Sequence, residues 1–180
     1  DFPGITGDSP RTVSMWVKIP EDAVTRNAIS MLAWGSYAGK GRTFQISWNW
    51  KKEDGRQGAL RAGLYFGQII DTEDLRDNRW HHIAVVMYGG QQADISTHMF
   101  LYVDGRLCTT STKSVLKIQT DTQSSQATSV IMGRDAMNYI NKQPPKTFKG
   151  SLDEVYIFET ALSGKQIRSL MKSNKLPSKQ

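Results

Sequence analysis

Two adjacent histidines, His81 and His82, have the clearest capacity for metal binding or proton transfer in this sequence. Neighbouring side chains of a strand point to opposite faces, so we do not expect the two imidazoles to hold one ion together. The third histidine, His98, lies sixteen residues further along, and no His-x-His or His-x-x-x-His spacing occurs. We therefore expect a structural role, with one imidazole packed or hydrogen-bonded and the other near solvent.

Paired carboxylates are the next candidates, because hydrolysis of a glycosidic bond needs two of them at a defined separation. Asp153 and Glu154 are neighbours that point to opposite faces of a strand, whereas Glu53-Asp54 and the acids from Asp71 to Asp77 fall in loop-like segments. Neither a Gly-x-Ser-x-Gly elbow nor a glycine-rich phosphate loop occurs. The sequence therefore does not predict an enzyme, and a divergent polysaccharide hydrolase or lyase stays an alternative.

Asp153 is the acid with the most demanding predicted environment. By alternation it shares a face with Val155 and Ile157 on a largely apolar strand, which is expected to lie in the middle of a sheet. Burial of a bare carboxylate is costly, so a partner is expected: an arginine such as Arg11, a backbone turn, or Ca²⁺. Oxygen ligands from loops suit this hard cation. The candidate calcium ligands are Asp153, Asp8, Asp135 and Asn138.

Aromatic residues at alternating positions offer a second kind of site. Trp48 and Trp50 share one face of a strand with Phe44 and Ile46, and indoles on an exposed face stack on sugar rings. The alternative is that the same stripe fills the core, with Trp50 the more exposed because a charged turn follows it. Loop residues could add contacts, so the candidate ligand-binding residues are Trp50, Trp48, Tyr37, Arg42, Arg134 and Tyr139.

Composition excludes several classes of protein. The 180 residues are 38% hydrophobic and 22% charged, which indicates a globular domain, and no apolar run is long enough to span a bilayer. The net charge is +6, but no acid follows Glu159, so much of the excess lies at the C-terminal end and nucleic-acid binding is not expected. Cys108 is alone, which excludes an internal disulfide and favours a small buried side chain.

Most of these residues lie in segments where apolar and polar side chains alternate with a period of two. Alternation over Thr12–Ile19, Thr43–Trp50, Leu60–Phe66 and Met99–Val103 predicts strands, and Asp104-Gly105 predicts a hairpin turn. Residues 109–129 are rich in Ser, Thr and Gln and predict an exposed edge strand within polar loops. One helix is expected after Ser163, with a capping box to Gln166 and an apolar stripe; we expect it to plug an edge or end of the sandwich.

Six segments, taken in order, resemble a known family. They are Thr12–Lys18 (TVSMWVK), Trp80–Val86 (WHHIAVV), Leu101–Gly105 (LYVDG), Ile131–Arg134 (IMGR), Gly150–Phe158 (GSLDEVYIF) and Ala161–Ile167 (ALSGKQI). The set is similar to the laminin G-like, concanavalin A-like domains related to pentraxins and legume lectins. This resemblance implies a jelly roll of two antiparallel sheets whose loops often bind ligands, in some relatives with Ca²⁺. Glucanases of this fold carry Glu-x-Asp-x-x-Glu, which is absent here.

The expected protein is thus an all-β, two-sheet antiparallel jelly-roll sandwich with one short C-terminal amphipathic helix. We expect one domain over residues 1–172, followed by a basic tail over 173–180. Residues Gly4–Val13 resemble a bacterial subgroup attached to exported or surface proteins, which implies a secreted, periplasmic or cell-surface location. The expected function is noncatalytic carbohydrate binding or adhesion, with a glycan as partner; a protein–protein interaction module is the alternative.

Overall fold

A computed structural model describes residues 1–25, 28–137, 141–144 and 146–176. Within this part of the chain, eleven strands are joined by short turns and loops. The strands are β1 (Arg11–Lys18), β2 (Leu32–Ser36), β3 (Thr43–Trp48), β4 (Ala59–Leu64), β5 (Gly67–Asp74), β6 (Trp80–Met87), β7 (Met99–Val103), β8 (Arg106–Leu107), β9 (Thr110–Lys113), β10 (Ala127–Met132) and β11 (Ser151–Phe158). The helices are α1 (Ile95–His98) and α2 (Gly164–Ser173), with a 3₁₀ turn at Lys52–Asp54.

Two antiparallel sheets face each other across one core. The five-stranded sheet has the order β11-β1-β6-β7-β8, and the six-stranded sheet has the order β10-β2-β3-β4-β5-β9. Alternation assigns the inward side chains: Val13, Met15 and Val17 of β1 share the core with Phe44 and Ile46 of β3. The predicted all-β jelly-roll sandwich is therefore confirmed. In the described residues, no helix is long and apolar enough to cross a bilayer.

Helix α2 follows the predicted sequence signals but lies elsewhere than expected. The side chains of Ser163 and Gln166 cap each other's backbone in a capping box, and Asn174 ends the helix in the left-handed conformation. Ile167 and Leu170 pack on Ala84 and Val86 of β6, on the outer side of the five-stranded sheet. The expectation that this helix plugs an edge or end is wrong: it covers a sheet face.

Strand β11 also departs from prediction, because it is an edge strand with a bulge. Asp153 pairs with Trp16 and Tyr156 with Ser14, so two residues of β11 oppose one of β1, and Glu154 has φ of 49°. Leu152, not Asp153, therefore shares the inner face with Val155 and Ile157. Asp153 is exposed, so the prediction of a buried carboxylate is wrong. Of the partners considered for it, Arg11 does not pair with it, whereas a backbone group does: the Glu154 N–H donates to its carboxylate at 2.8 Å.

Strand β5 corrects a further expectation. The acids from Asp71 to Asp74 lie in a strand paired on both sides, with β4 and with β9, and not in a loop. Strand β9 itself is the outermost strand of its sheet, as predicted for the polar stretch 109–129. The Asp104-Gly105 hairpin is confirmed, with φ of 49° and 73° at its two turn residues, the conformation of a primed turn.

Candidate functional site

The outer face of the six-stranded sheet is polar although much of it is buried. Gln45 and Ser47 of β3 alternate with core residues, and they are 9% and 0% exposed. Arg61 of β4 pairs with Ser47, and Gly63 pairs with Gln45, so all four lie on this face. Loops from both ends of the sheet fold over these side chains and form a groove.

The groove has a volume of about 450 Å³ and is open to solvent. This volume lies within the roughly 300–1,000 Å³ typical of small-molecule sites. Its walls combine aromatic rings, an amide and charged groups drawn from four separate parts of the chain. The lining residues are Ala28, Tyr37, Gln45, Trp50, Tyr65, Asp135, Met137 and Lys146.

Tyr37 supplies an unused polar group to this groove. Its ring contacts Tyr65 edge-on, with centroids 5.5 Å apart and planes at 68°. Its hydroxyl is buried and has no hydrogen-bond partner among the described residues. Burial raises the pKa of Tyr37, nearby Asp135 raises it further, and the charge of Arg61 opposes this only in part. The phenol therefore stays protonated and retains its O–H donor at physiological pH.

Trp50 is held in the groove wall by the residue before it. The buried amide of Asn49 donates to the carbonyls of Lys51, Gly55 and Arg56 at 2.9–3.0 Å. These bonds close the loop after β3 into a compact turn. The carbonyl of Trp50 accepts a further bond from the Gln57 side chain at 3.0 Å. The half-buried indole is thus fixed by its backbone on both sides.

The opposite wall comes from a segment distant in sequence. The backbone N–H of Asp135 donates to the carbonyl of Lys146 at 2.8 Å, and the Asp135 carboxylate accepts from the Met137 N–H at 2.9 Å. The floor includes Gln45, whose amide nitrogen donates to the carbonyl of Ala28 and to the Ser30 hydroxyl, both at 2.8 Å. These bonds fix the groove without a ligand.

Arg61 lies on the same sheet face and is poorly satisfied. Its Nε donates to the Gln68 side chain at 2.7 Å, and Nη1 lies 3.4 Å from the Ser47 hydroxyl. Among the described residues no carboxylate pairs with it. Burial lowers the pKa of the Arg61 guanidinium, while Asp54 and Tyr37 oppose this shift.

The groove brings together two of the predicted ligand-binding residues, Tyr37 and Trp50. Trp48 does not join them: it is 4% exposed in the core, with the Arg76 guanidinium 5.3 Å from its ring centroid. Arg42 lies on the same β2–β3 loop as Tyr37 but does not line the groove, and its guanidinium is 3.6 Å from the Asp121 carboxylate. Arg134 forms an isolated bridge with Thr147 beside the groove and does not line it. Tyr139 lies outside the described residues.

The predicted calcium ligands do not gather in one place. Asp135 lines the groove on the six-stranded sheet, whereas Asp153 is exposed on the outer face of the five-stranded sheet. Asp8 precedes β1, at the end of that strand away from the partner of Asp153, and Asn138 lies outside the described residues. Within the described ranges, no three His, Cys, Asp or Glu side chains are placed to hold a metal ion. Calcium binding stays a prediction.

The two neighbouring histidines have the separate environments that alternation predicts. His82 is 2% exposed, with Nε2 2.8 Å from the Ser14 hydroxyl, and burial lowers its pKa to about 4. Burial also lowers the pKa of His81, but hydrogen bonds to Asp104 and Asp77 outweigh this and raise it above the usual value. Both imidazoles serve the framework.

Cys108 is half-buried against the core, as a small apolar side chain would be. Burial raises the pKa of its thiol, and the neighbouring Asp71 carboxylate raises it further. A thiolate nucleophile is therefore disfavoured at this position. The groove on the six-stranded sheet remains the better candidate for ligand binding.

Several residues of the groove and of its sheet face carry no local signal in the sequence. Gln45 and Arg61 occupy outward positions in alternating strands, and that polar alternation was the only indication of their face. Tyr65, Met137 and Lys146 reach the groove through loops whose positions depend on the whole fold. Asp135, which was predicted as a calcium ligand, lines the groove.

The comparisons with known structures agree with this architecture. An SAP-like pentraxin of Limulus polyphemus is 17% identical, with a TM-score of 0.54, over 94% of this chain and 73% of that protein. A protein of Bacteroides ovatus described as a putative carbohydrate binding protein is 18% identical, with a TM-score of 0.64, over 95% of this chain and 43% of that one. The CBM40 module of a Ruminococcus gnavus sialidase, bound to α2,3-sialyllactose, is 14% identical, with a TM-score of 0.57, over 92% of this chain and 84% of that module. These identities show a shared fold.

No curated protein sequence matches the chain significantly. Residues 3–168 match a laminin G family described as the concanavalin A-like lectin/glucanases superfamily. That range includes both sheets and most of helix α2, so the match and the architecture refer to the same unit. The chain therefore belongs to the concanavalin A-like lectin/glucanases superfamily, as a laminin G-like domain.

Proposed function

We propose that this domain is a noncatalytic carbohydrate-binding module, carried by an exported or cell-surface protein, and that the groove on the six-stranded sheet is its binding site. The observation that carries the proposal is the placement of Tyr37 and Trp50 in one groove, beside the amide of Gln45. Aromatic faces pack on the apolar faces of sugar rings, and the hydroxyl and amide groups bond to sugar hydroxyls. Two structural neighbours are described as carbohydrate-binding, which supports this ligand class.

The groove chemistry favours binding over bond cleavage. Hydrolysis of a glycosidic bond by the common mechanism needs two carboxylates that flank the bond. Of the described residues that line the groove, Asp135 alone carries a carboxylate. The groove is thus suited to hold a saccharide without cleaving it. Binding of a protein partner in the same groove is the alternative function.

A glycan array with matched variants tests the proposal. Trp50→Ala removes an aromatic wall, and we expect it to weaken glycan binding at least about tenfold. Tyr37→Phe removes only a hydroxyl without a protein partner, so we expect weaker binding, by about three- to tenfold, at unchanged thermal stability.

Trp80→Ala is the matched control, because Trp80 is 44% exposed on the other sheet. We expect this variant to bind like the wild type. The proposal is wrong if the wild-type domain binds none of a broad set of plant, algal and host glycans, or if a bound glycan is insensitive to both groove substitutions.

A further inference from the structure

The guanidinium of Arg61 lies flat along the sheet above Gly63. A Cβ atom placed on Gly63 would stand 3.0 Å from Nη1 and 3.1 Å from both Cζ and Nη2 of Arg61. Gly63 has no unusual backbone angle that would require glycine. The missing side chain therefore makes room for the guanidinium, between Gln45 on one neighbouring strand and Gln68 on the other.

The fully buried Arg11 shows how this fold satisfies a guanidinium that serves structure alone. Arg11 donates to four backbone carbonyls and to the Thr120 hydroxyl, at 2.7–3.2 Å. Arg61 instead has two neutral side-chain acceptors, Gln68 and Ser47. Its other N–H groups have no hydrogen-bond partner in the described part of the chain, although a guanidinium carries five donors. The side chain is half-buried, and its unused N–H groups are not among the buried unpartnered atoms, so they remain open to an incoming anion.

A second unused donor lines the groove itself, whereas Arg61 lies on the same sheet face without lining it. The Tyr37 hydroxyl is buried and unpartnered among the described residues, and it is near enough to Arg61 for each group to shift the other's pKa. The charged residues that line the groove, Asp135 and Lys146, carry opposite charges. Two donors, one of them cationic, fit an acceptor-only anion.

We infer that the carbohydrate bound in this groove carries a carboxylate, held between the Arg61 guanidinium and the Tyr37 hydroxyl. This inference rests on the proposed function and specifies its ligand class. A planar carboxylate accepts two parallel N–H bonds from a guanidinium, a geometry that the point charge of lysine cannot reproduce. Hexuronic acids and sialic acids are two sugar sources of such a group.

Calorimetric titration of the whole domain with matched sugars tests the inference. Oligogalacturonate is compared with its methyl ester, and sialyllactose with lactose, so that the two carboxylate sources are distinguished. We expect at least one acidic sugar to bind at least tenfold more tightly than its neutral counterpart. The difference should narrow between 50 and 300 mM NaCl, since salt screens the charge.

Variants of the domain distinguish the effect of the Arg61 charge on binding from the effect of the guanidinium's position. Arg61→Gln should abolish the tighter binding of the acidic sugar over its neutral counterpart, and Arg61→Lys should retain only part of that difference in affinity. Gly63→Ala keeps the charge but displaces the guanidinium, and we expect it to reduce the advantage several-fold in a folded domain. Arg106→Gln is the control for overall charge, because that side chain is 71% exposed on the other sheet.

The outcomes distinguish this inference from the proposal on which it depends. Tight binding of a neutral or sulfated sugar that needs Trp50 but not Arg61 overturns the carboxylate and leaves carbohydrate binding intact. An acidic advantage that persists in Arg61→Gln also overturns it. If Arg61→Gln fails to fold, Gly63→Ala decides: an unchanged preference in that variant contradicts the inference. Absence of all glycan binding by the wild type defeats both.

Discussion

One carboxylate oxygen of Asp104 lies 2.9 Å from Nδ1 of His81, which joins the β7–β8 turn to the start of β6. The other oxygen of the same carboxylate accepts the backbone N–H of His82 at 3.0 Å. Asp77 lies 3.1 Å from the second ring nitrogen of His81. A protonated imidazole can donate to both carboxylates at once, so this cluster favours the charged form of His81.

The first prediction concerns the pH dependence conferred by His81. Its pKa is raised in the folded protein above the ordinary value of about 6.5, so its contribution is complete below that pH and is lost as pH rises through the folded pKa. We expect His81→Gln to destabilise the domain by about 1–3 kcal/mol at pH 5.5 and by less at pH 8.5. Thermal unfolding of both proteins across this range measures the difference; an equal loss at both values would contradict it.

The second prediction concerns His82, whose folded-state pKa of about 4 lies below the unfolded value. The unfolded chain therefore takes up a proton first as pH falls, and this histidine removes stability between about pH 6.5 and pH 4. In an NMR titration of the ring protons, we expect His82 to titrate near pH 4 and His81 above pH 6.5. A His82 resonance that titrates at pH 6.5 would show that its burial is not maintained.

The third prediction concerns the buried Arg11, which ties the N-terminal segment to β1. Its donors reach carbonyls of Ile5, Thr6, Gly7 and Ser9, and burial lowers its pKa to about 10. Arg11→Lys keeps the charge but cannot supply all these bonds, so we expect a loss of about 3 kcal/mol. Arg106→Lys, on an exposed side chain, should change unfolding by less than about 0.5 kcal/mol in the same denaturant titration.

The fourth prediction concerns Asn49, the amide that closes the loop before and after Trp50. Asn49→Ala leaves three carbonyls without their donor, so we expect a loss of about 2 kcal/mol in urea unfolding. Glycan affinity should fall as well, because the indole loses its fixed backbone. The exposed Asn141→Ala is the control and should leave both quantities unchanged. Normal affinity in Asn49→Ala would show that Trp50 is positioned by other contacts.

The fifth prediction addresses calcium. Asp135 and Asp153 lie on opposite outer faces of the sandwich, so a single ion cannot be bound by both. If calcium stabilises the domain, we expect the rise in Tm on replacing EDTA by Ca²⁺ to disappear in Asp135→Asn or in Asp153→Asn, but not in both. Equal Tm values of the wild type in EDTA and in excess Ca²⁺ would contradict the predicted calcium site.

The sequence predicted the fold where side chains alternate regularly. Strands β1, β3 and β7, the Asp104-Gly105 turn and the cap of α2 follow local rules of periodicity and turn chemistry. Strand β5 was missed because its acids at Asp71, Glu73 and Asp74 disfavour a strand on their own. Pairing with β4 and β9 overrides that preference. Such pairing depends on residues outside β5, so the sequence of that segment alone does not predict it.

The site was less predictable than the fold for the same reason. Tyr37 and Trp50 could be proposed from their residue types, whereas the wall formed by Asp135 and Lys146 depends on where a distant loop returns to the sheet. Asp153 was assigned to the wrong face because of one bulge in β11. A single extra residue exchanges the inner and outer faces of the strand that follows it or precedes it. Nothing in the residue types around Glu154 signals that insertion.

The bulge in β11 has a consequence for how neighbouring molecules meet. The five-stranded sheet ends on one side in this kinked strand and on the other in β8, which has only two residues. Neither border offers a long, flat row of open peptide groups for another chain to extend, a protection that natural β-proteins use against aggregation. Edge-to-edge pairing of two such domains through the five-stranded sheet is thus disfavoured.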